Sequence, residues 1–201
     1  MKLITTAVFI LAILFSSAAS AQIVRTFGFK LGAADATQSI DFHLPLGLAA
    51  DISYRWGYDF AGFVEFFNDP HFSVVAELDY VQKGFWYQYN SFDTGLESAA
   101  MNSRYDYLSI PVLAKVRYQI GILAPYVFAG PRFDRLLFTN ATYLPFNEFG
   151  MSVGAGTEID IRGACHLLME ARYSPSLAYS YPYNERSVKN ESFEFQAGIG
   201  F

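Results

Sequence analysis

The 201 residues carry 14 Lys and Arg against 19 Asp and Glu, a formal net charge of −5 with no basic stripe, which excludes nucleic acid as a partner. Mean hydropathy is only +0.19 although Phe and Tyr number 20 and 14, and no apolar run beyond residue 21 is long enough for a membrane helix, which excludes an α-helical membrane protein. The single cysteine, Cys165, excludes an internal disulfide; at the start of a predicted strand it reads as a small apolar residue, not a nucleophile.

Residues Met1 to Ala21 have the form of a cleaved signal peptide: Lys2, an apolar run from Ala7 to Phe15, and the small residues Ala19-Ser20-Ala21. The remainder, 22–201, has the length of one domain and no internal linker. Strand one is predicted from about Arg25 to Ala33, with Phe27, Phe29 and Leu31 on one face and Gly28, Lys30 and Gly32 on the other. Ala34 to Gly57 is expected to be a long outer loop. Strand two, Tyr58 to Phe67, alternates Tyr58, Phe60, Gly62, Val64 and Phe66 with Asp59, Ala61, Phe63, Glu65 and Phe67, and Asn68-Asp69-Pro70 turns the chain. Strand three follows at once, with Ser73, Val75, Glu77, Asp79, Val81 and Lys83 on the inner face.

A second outer loop is expected over Tyr87 to Ser103. Strand four, Arg104 to Tyr118, sets Leu108, Ile110, Val112 and Val116 outward against Tyr107, Ser109, Leu113, Lys115 and Arg117. Pro111 predicts a local bulge there, because proline cannot donate to the ladder. After the Gln119-Ile120-Gly121 turn, strand five (Ile122 to Asp134) is interrupted by Pro125, Gly130 and Pro131, leaving Val127 and Phe133 outward and Tyr126, Arg132 and Asp134 inward. A third loop spans Arg135 to Asn147. Strand six, Glu148 to Asp160, has Ser152, Gly154, Gly156 and Glu158 inside. Arg162-Gly163 turns into strand seven, Ala164 to Tyr173, with His166, Glu170 and Arg172 inside. A last loop covers Ser174 to Asn190.

The final stretch, Glu191 to Phe201, is the clearest of all: Phe193, Phe195, Ala197, Ile199 and Phe201 share one face, and Ser192, Glu194, Gln196, Gly198 and Gly200 the other. Eight alternating strands joined by short turns at one end and longer connections at the other predict an all-β fold, an eight-stranded antiparallel transmembrane β-barrel of up-and-down meander type, integral to a bacterial outer membrane. A closing strand that ends on Phe201 resembles the signal by which such proteins are recognised for assembly.

Gly28-Phe29-Lys30-Leu31-Gly32, Ala76-Glu77-Leu78-Asp79-Tyr80-Val81-Gln82-Lys83-Gly84, Tyr107-Leu108-Ser109-Ile110-Pro111-Val112-Leu113-Ala114-Lys115 and Pro125-Tyr126-Val127-Phe128-Ala129-Gly130-Pro131 together resemble the PorT-like outer-membrane β-barrel family of Bacteroidota. Val153-Gly154-Ala155-Gly156-Thr157-Glu158 and Glu170-Ala171-Arg172-Tyr173 continue the likeness over essentially the whole mature chain. The resemblance implies insertion by the barrel-assembly machinery, with periplasmic chaperones during biogenesis, and it brings no catalytic residues.

The predicted inner face collects Lys30, Lys83, Lys115, Arg117 and Arg172 with Glu65, Glu77, Asp79, Glu158, Glu170 and Glu194. Charges taken out of water cost several kcal/mol per ion unless paired, and an eight-stranded barrel holds only its own side chains or one small ligand, so this lumen charge network is expected to be a plug. No catalytic site, cofactor or metal is expected. His43 lies near Asp41 and Ser39 without a spacing rule that joins them, His71 falls in a turn, and His166 reads as a hydrogen-bonded filler of the lumen. Tyr87, Tyr89, Phe92, Tyr143, Phe146, Tyr179, Tyr181 and Tyr183 interleave with Asn, Ser and Asp, either as a recognition surface for an extracellular partner or as part of the interfacial aromatic girdle. The reading is a lipid-embedded barrel with a structural or surface-interaction role. The alternatives are a narrow channel or carrier, a lipid-modifying enzyme, and a soluble lipocalin-type barrel with its apolar side chains inside.

Overall fold

A computed structural model describes residues 23–40, 48–67, 69–91, 98–140, 147–161, 165–177 and 188–201. Strands β1 (Val24–Ile40), β2 (Leu48–Phe66), β3 (Phe72–Ser91), β4 (Met101–Arg117), β5 (Leu123–Thr139), β6 (Asn147–Ile161), β7 (Cys165–Tyr173) and β8 (Val188–Gly200) pair in chain order. β8 returns to β1, closing the barrel. Every pairing is antiparallel, and Phe201 completes the seam by exchanging backbone hydrogen bonds with Phe27 at 2.8 and 3.2 Å. Closure gives each of the eight described strands a partner on both sides, the condition for a sheet to cross hydrocarbon.

Alternation sorts the two faces. On β5 it runs without a break from Leu123 to Leu136 through both prolines, with Val127 and Phe133 out and Tyr126, Arg132 and Asp134 in. Phe29 (66% exposed), Leu31 (64%), Val127 (58%) and Met169 (59%) stand on the outside, while Lys30, Glu77, Lys115 and Arg172 are each 4% exposed or less. Apolar side chains outside and charges inside rule out the lipocalin arrangement.

The strands outrun their expected ends. Much of 34–57 is sheet: β1 continues to Ile40 and β2 begins at Leu48. β3 continues to Ser91, β4 begins at Met101, and β5 reaches Thr139, which shortens the second and third loops. Polar residues in these extensions look like loop because strand above the membrane meets water on its outer side. Ser174 and Ser176 also belong to the wall, since Ser176 bridges to Gly150 and Ser174 exchanges backbone hydrogen bonds with Ser192.

Pro111 produces no bulge. It sits opposite Arg132, and the β3–β4 register is unchanged across it, with Ala76 opposite Val112 and Asp79 opposite Ser109. The proline removes a donor without inserting a residue. The register shift in β4 lies instead between Asp106 and Tyr107, and others lie between Val24 and Thr26 and between Tyr54 and Asp59.

At the short-turn end, Phe67 is exposed at φ 69°, not inward as the strand-two alternation predicts, because the chain is already turning. Asp69 Oδ1 accepts the His71 and Phe72 N–H groups at 2.8 and 2.9 Å, and these bonds hold its carboxyl below the usual carboxylate range. Gly121 takes φ 62° in the second turn, where a side chain would be strained. The Arg162-Gly163 turn lies outside the described residues, as do the signal segment and His43.

The filled lumen as candidate functional site

The interior charges fall into groups ordered along the barrel. Nearest the short turns, Glu65 receives Arg25 at 2.5 Å, Lys115 at 3.0 Å and Arg117. Glu158 pairs with Lys115 and Arg117, and Arg117 also donates to Ser73 Oγ at 2.5 Å. Midway, Lys30 Nζ bridges Glu77 at 2.6 Å and Glu170 at 2.7 Å. The Arg172 guanidinium meets Glu77 at 2.7 Å, Glu170 at 3.3 Å, Asp79 at 3.4 Å and Glu194 at 3.9 Å. Tyr126 Oη donates to Glu170 at 2.7 Å, and Gln196 Nε2 to Asp59 at 2.7 Å.

Toward the other end, Lys83 Nζ reaches Asp134 at 3.0 Å, and Asp134 also faces Arg132 at 2.9 Å and accepts Ser109 Oγ at 2.5 Å. Tyr107 Oη and Ser176 Oγ each donate to Glu148 at 2.8 Å, and Asn190 Nδ2 donates to the same carboxylate.

Apolar groups fill the space between. Phe63, Val75, Leu113, Tyr126, Phe128 and Leu168 form one buried cluster, and Ala34, Val81, Phe85, Tyr105, Tyr107 and Leu136 a second. Four of the cations lie over rings: Lys30 over Phe63 (5.2 Å), Lys83 over Tyr107 (5.5 Å), Lys115 over Tyr126 (4.1 Å) and Arg172 over Phe128 (5.2 Å). A ring face adds a weaker attraction that helps to hold a desolvated cation in place. Glycines opposite these rings make the fit possible. A Cβ at Gly154 would stand 2.4 Å from Phe128 Cζ, and one at Gly156 would stand 2.6 Å from Tyr126 Oη.

Lys30, Glu65, Glu77, Asp79, Lys83, Lys115, Arg117, Glu158, Glu170, Arg172 and Glu194 all lie in the lumen and are buried. Sequence reasoning left Arg25, Asp59, Arg132, Asp134 and Glu148 out of the network. Parity alone reaches Asp59, Arg132, Asp134 and Glu148. It misses Arg25, which the register shift between Val24 and Thr26 turns inward. His166 is not the buried filler expected; it lies at the short-turn rim, 30% exposed, with Nδ1 4.0 Å from Asp160. Among the described residues no cluster of His, Cys, Asp and Glu could hold a metal ion. Tyr87 is a β3 residue packed against the upper apolar cluster, and Phe92, Tyr143, Phe146, Tyr179, Tyr181 and Tyr183 lie outside the described residues.

Chemically, the interior is a set of ion pairs wedged by rings that together occupy the barrel, with a few buried polar atoms, such as Asp59 Oδ1 and Asp79 Oδ1, left without a hydrogen-bond partner. The crystal structure of the outer membrane protein OprG from Pseudomonas aeruginosa shares the fold at 10% identity and a TM-score of 0.57, over 89% of this chain and 95% of that one. Neisserial surface protein A (NspA) does so at 16% identity and a TM-score of 0.51, over 88% and 99%. No curated protein matches the sequence. The profile of the family described as outer membrane protein beta-barrel domain matches residues 18–181. The chain belongs to that family and is an integral protein of the bacterial outer membrane.

Proposed function

We propose that this barrel is a non-conducting surface protein, whose role is structural or interactive and is exercised through its outer wall and loops. The observation that carries the reading is the interior itself: Arg172 and Lys30 tie β1, β3, β7 and β8 together across the lumen, and aromatic clusters occupy the remaining width. A solute path would have to break several buried ion pairs at once, each costing about 3–5 kcal/mol. No catalytic group is assigned.

The same reading takes residues 1–21 as a removed signal peptide and places the chain among PorT-like barrels. It assigns Phe201 to recognition by the assembly machinery after chaperoned passage of the periplasm, and it leaves the outer loops to an extracellular partner. Planar-bilayer recording on protein whose folding is verified by a heat-dependent gel mobility shift is the test. A silent membrane is expected, and steady unitary conductance would overturn the plug and favour a narrow channel. Deletion of Phe201 should lower the amount of folded protein in the outer membrane, and unchanged assembly would remove that role.

A further inference from the structure

Arg55, Arg104 and Arg135 are set apart from the lumen cations. Arg104 shares the outer face of β4 with Leu108 and Ile110. Arg135 lies on the outer face of β5, opposite Leu108 and Asn147. Arg55 leans from β2 across β3, donating from Nε to Asn102 Oδ1 on β4 at 2.9 Å and from Nη1 to the Lys83 carbonyl at 3.5 Å. The path is open because residue 84 is glycine; a Cβ there would stand 3.1 Å from Arg55 Cδ.

Asp106 is already committed. It accepts Arg104 through both oxygens at 2.8 and 2.6 Å and Tyr80 Oη at 2.8 Å, and Gln82 Nε2 donates to Tyr80 Oη at 3.1 Å. The Arg104 guanidinium rests 5.8 Å from the Phe138 ring centre. Arg55 and Arg135 have no ion-pair partner among the described residues, so three guanidinium groups stand here against the paired Asp106 and the Asp35 carboxyl opposite Trp56.

Its depth is marked by the chain's two tryptophans. Trp56 adjoins Arg55 and is 61% exposed, and Trp86, 40% exposed, sits opposite Asn102. Trp and Tyr gather at the headgroup level of a bilayer. Strand geometry gives a level just above the hydrocarbon: Gly84, opposite Arg104, is twelve residues along β3 from Phe72, roughly 30 Å above the short-turn end at about 3.3 Å per residue and a tilt of about 40°.

We propose that Arg55, Arg104 and Arg135, flanked by Trp56 and Trp86, bind the phosphate headgroup of anionic lipid in the outer leaflet. Guanidinium groups match phosphate oxygens with paired N–H donors. A phosphate lying between Arg55 and Arg104 relieves the repulsion between two cations of which only Arg104 is paired to a carboxylate. The tryptophans flank it with rings suited to the boundary between acyl chains and headgroups. The site rests on the outer-membrane assignment and is independent of whether the lumen conducts.

The test uses full-length mature protein, folded by the gel-shift criterion, in phosphatidylcholine vesicles doped with diphosphorylated lipid A. Tryptophan emission reports occupancy, since both fluorophores adjoin the site. A saturable emission change is expected with diphosphorylated lipid A, and none with its dephosphorylated counterpart or with inorganic phosphate. Arg55→Gln combined with Arg135→Gln leaves the Arg104–Asp106 pair intact and should weaken the response at least about tenfold, in keeping with the attraction of each basic residue near an anionic surface. Arg55→Lys with Arg135→Lys should retain a saturable response, which separates loss of charge from loss of folding. Equal responses to the phosphorylated and dephosphorylated lipids, or an unaltered response in the Gln variant, would overturn the proposal. Full displacement by inorganic phosphate would overturn the lipid as its source.

Discussion

The inward and outward faces of the same strands meet charge in opposite ways. Inside, every group of cations is matched at short range: Lys115 and Arg117 against Glu65 and Glu158, Lys30 and Arg172 against Glu77 and Glu170. Outside, Arg104 has Asp106, while Arg55 and Arg135 stand at the upper rim and the lower wall is Phe29, Leu31, Val127 and Met169. In a narrow lumen position cannot relieve a charge, so pairing must. On the lipid side pairing is scarce, so height above the hydrocarbon does the same work.

Substitutions on each face sharpen the contrast. Arg172→Met leaves Glu77, Asp79, Glu170 and Glu194 without their shared cation and should destabilise the barrel by about 3–5 kcal/mol, read by urea titration of the heat-mobility shift. Val127→Arg, in the apolar wall, should cost about 2–4 kcal/mol, whereas Leu137→Arg, beside Phe138 at the rim, should cost about 1 kcal/mol or less. Equal costs would break the argument from height. Gly130→Ala places a Cβ 1.9 Å from the Val112 carbonyl oxygen and should cost about 1–3 kcal/mol through backbone displacement, with both charge patterns untouched.

The smallest effect is expected at Asp69, which belongs to neither face. Its carboxyl is held below its ordinary value of 3.8 by the His71 and Phe72 N–H groups. A folded-state pKa below the unfolded one contributes stability that is present above pH 3.8 and is lost as pH falls through the folded value. Asp69→Ala should therefore be slightly destabilising at neutral pH and indistinguishable from the unsubstituted protein in strong acid; an effect that persists unchanged in acid would show that the turn does not depend on the ionised carboxylate.

Period-two alternation made the faces legible, even in β5, where Pro125 and Pro131 obscure the strand. Strand length was not legible. Asp35, Gln38, Asp51 and Ser53 lie in sheet, yet their polarity matches that of loops, because strand that has left the membrane is solvated on one side and half-buried on the other. Partnership within the lumen was also hidden. Lys30 meets Glu170 across 140 positions because of the register by which β7, β8 and β1 join, and residue type carries no record of that register. Arg25 shows the limit of alternation itself, since one irregularity near a strand end changes the face of the residue beside it.

The unequal strands have a consequence for the shape above the membrane. β3 has 20 residues and β7 has 9, which at about 3.3 Å per residue and a tilt of about 40° correspond to wall heights of roughly 50 Å and roughly 23 Å. The first matches membrane plus a parapet, the second little more than the hydrocarbon. Among the described residues the sheet is thus tallest along β2 and β3, while past β7 the wall is continued by Ser174 and Ser176. A visitor arriving along the plane of the cell surface would meet a tall vertical sheet on the β2–β3 flank, and binding geometry would depend on its bearing around the barrel.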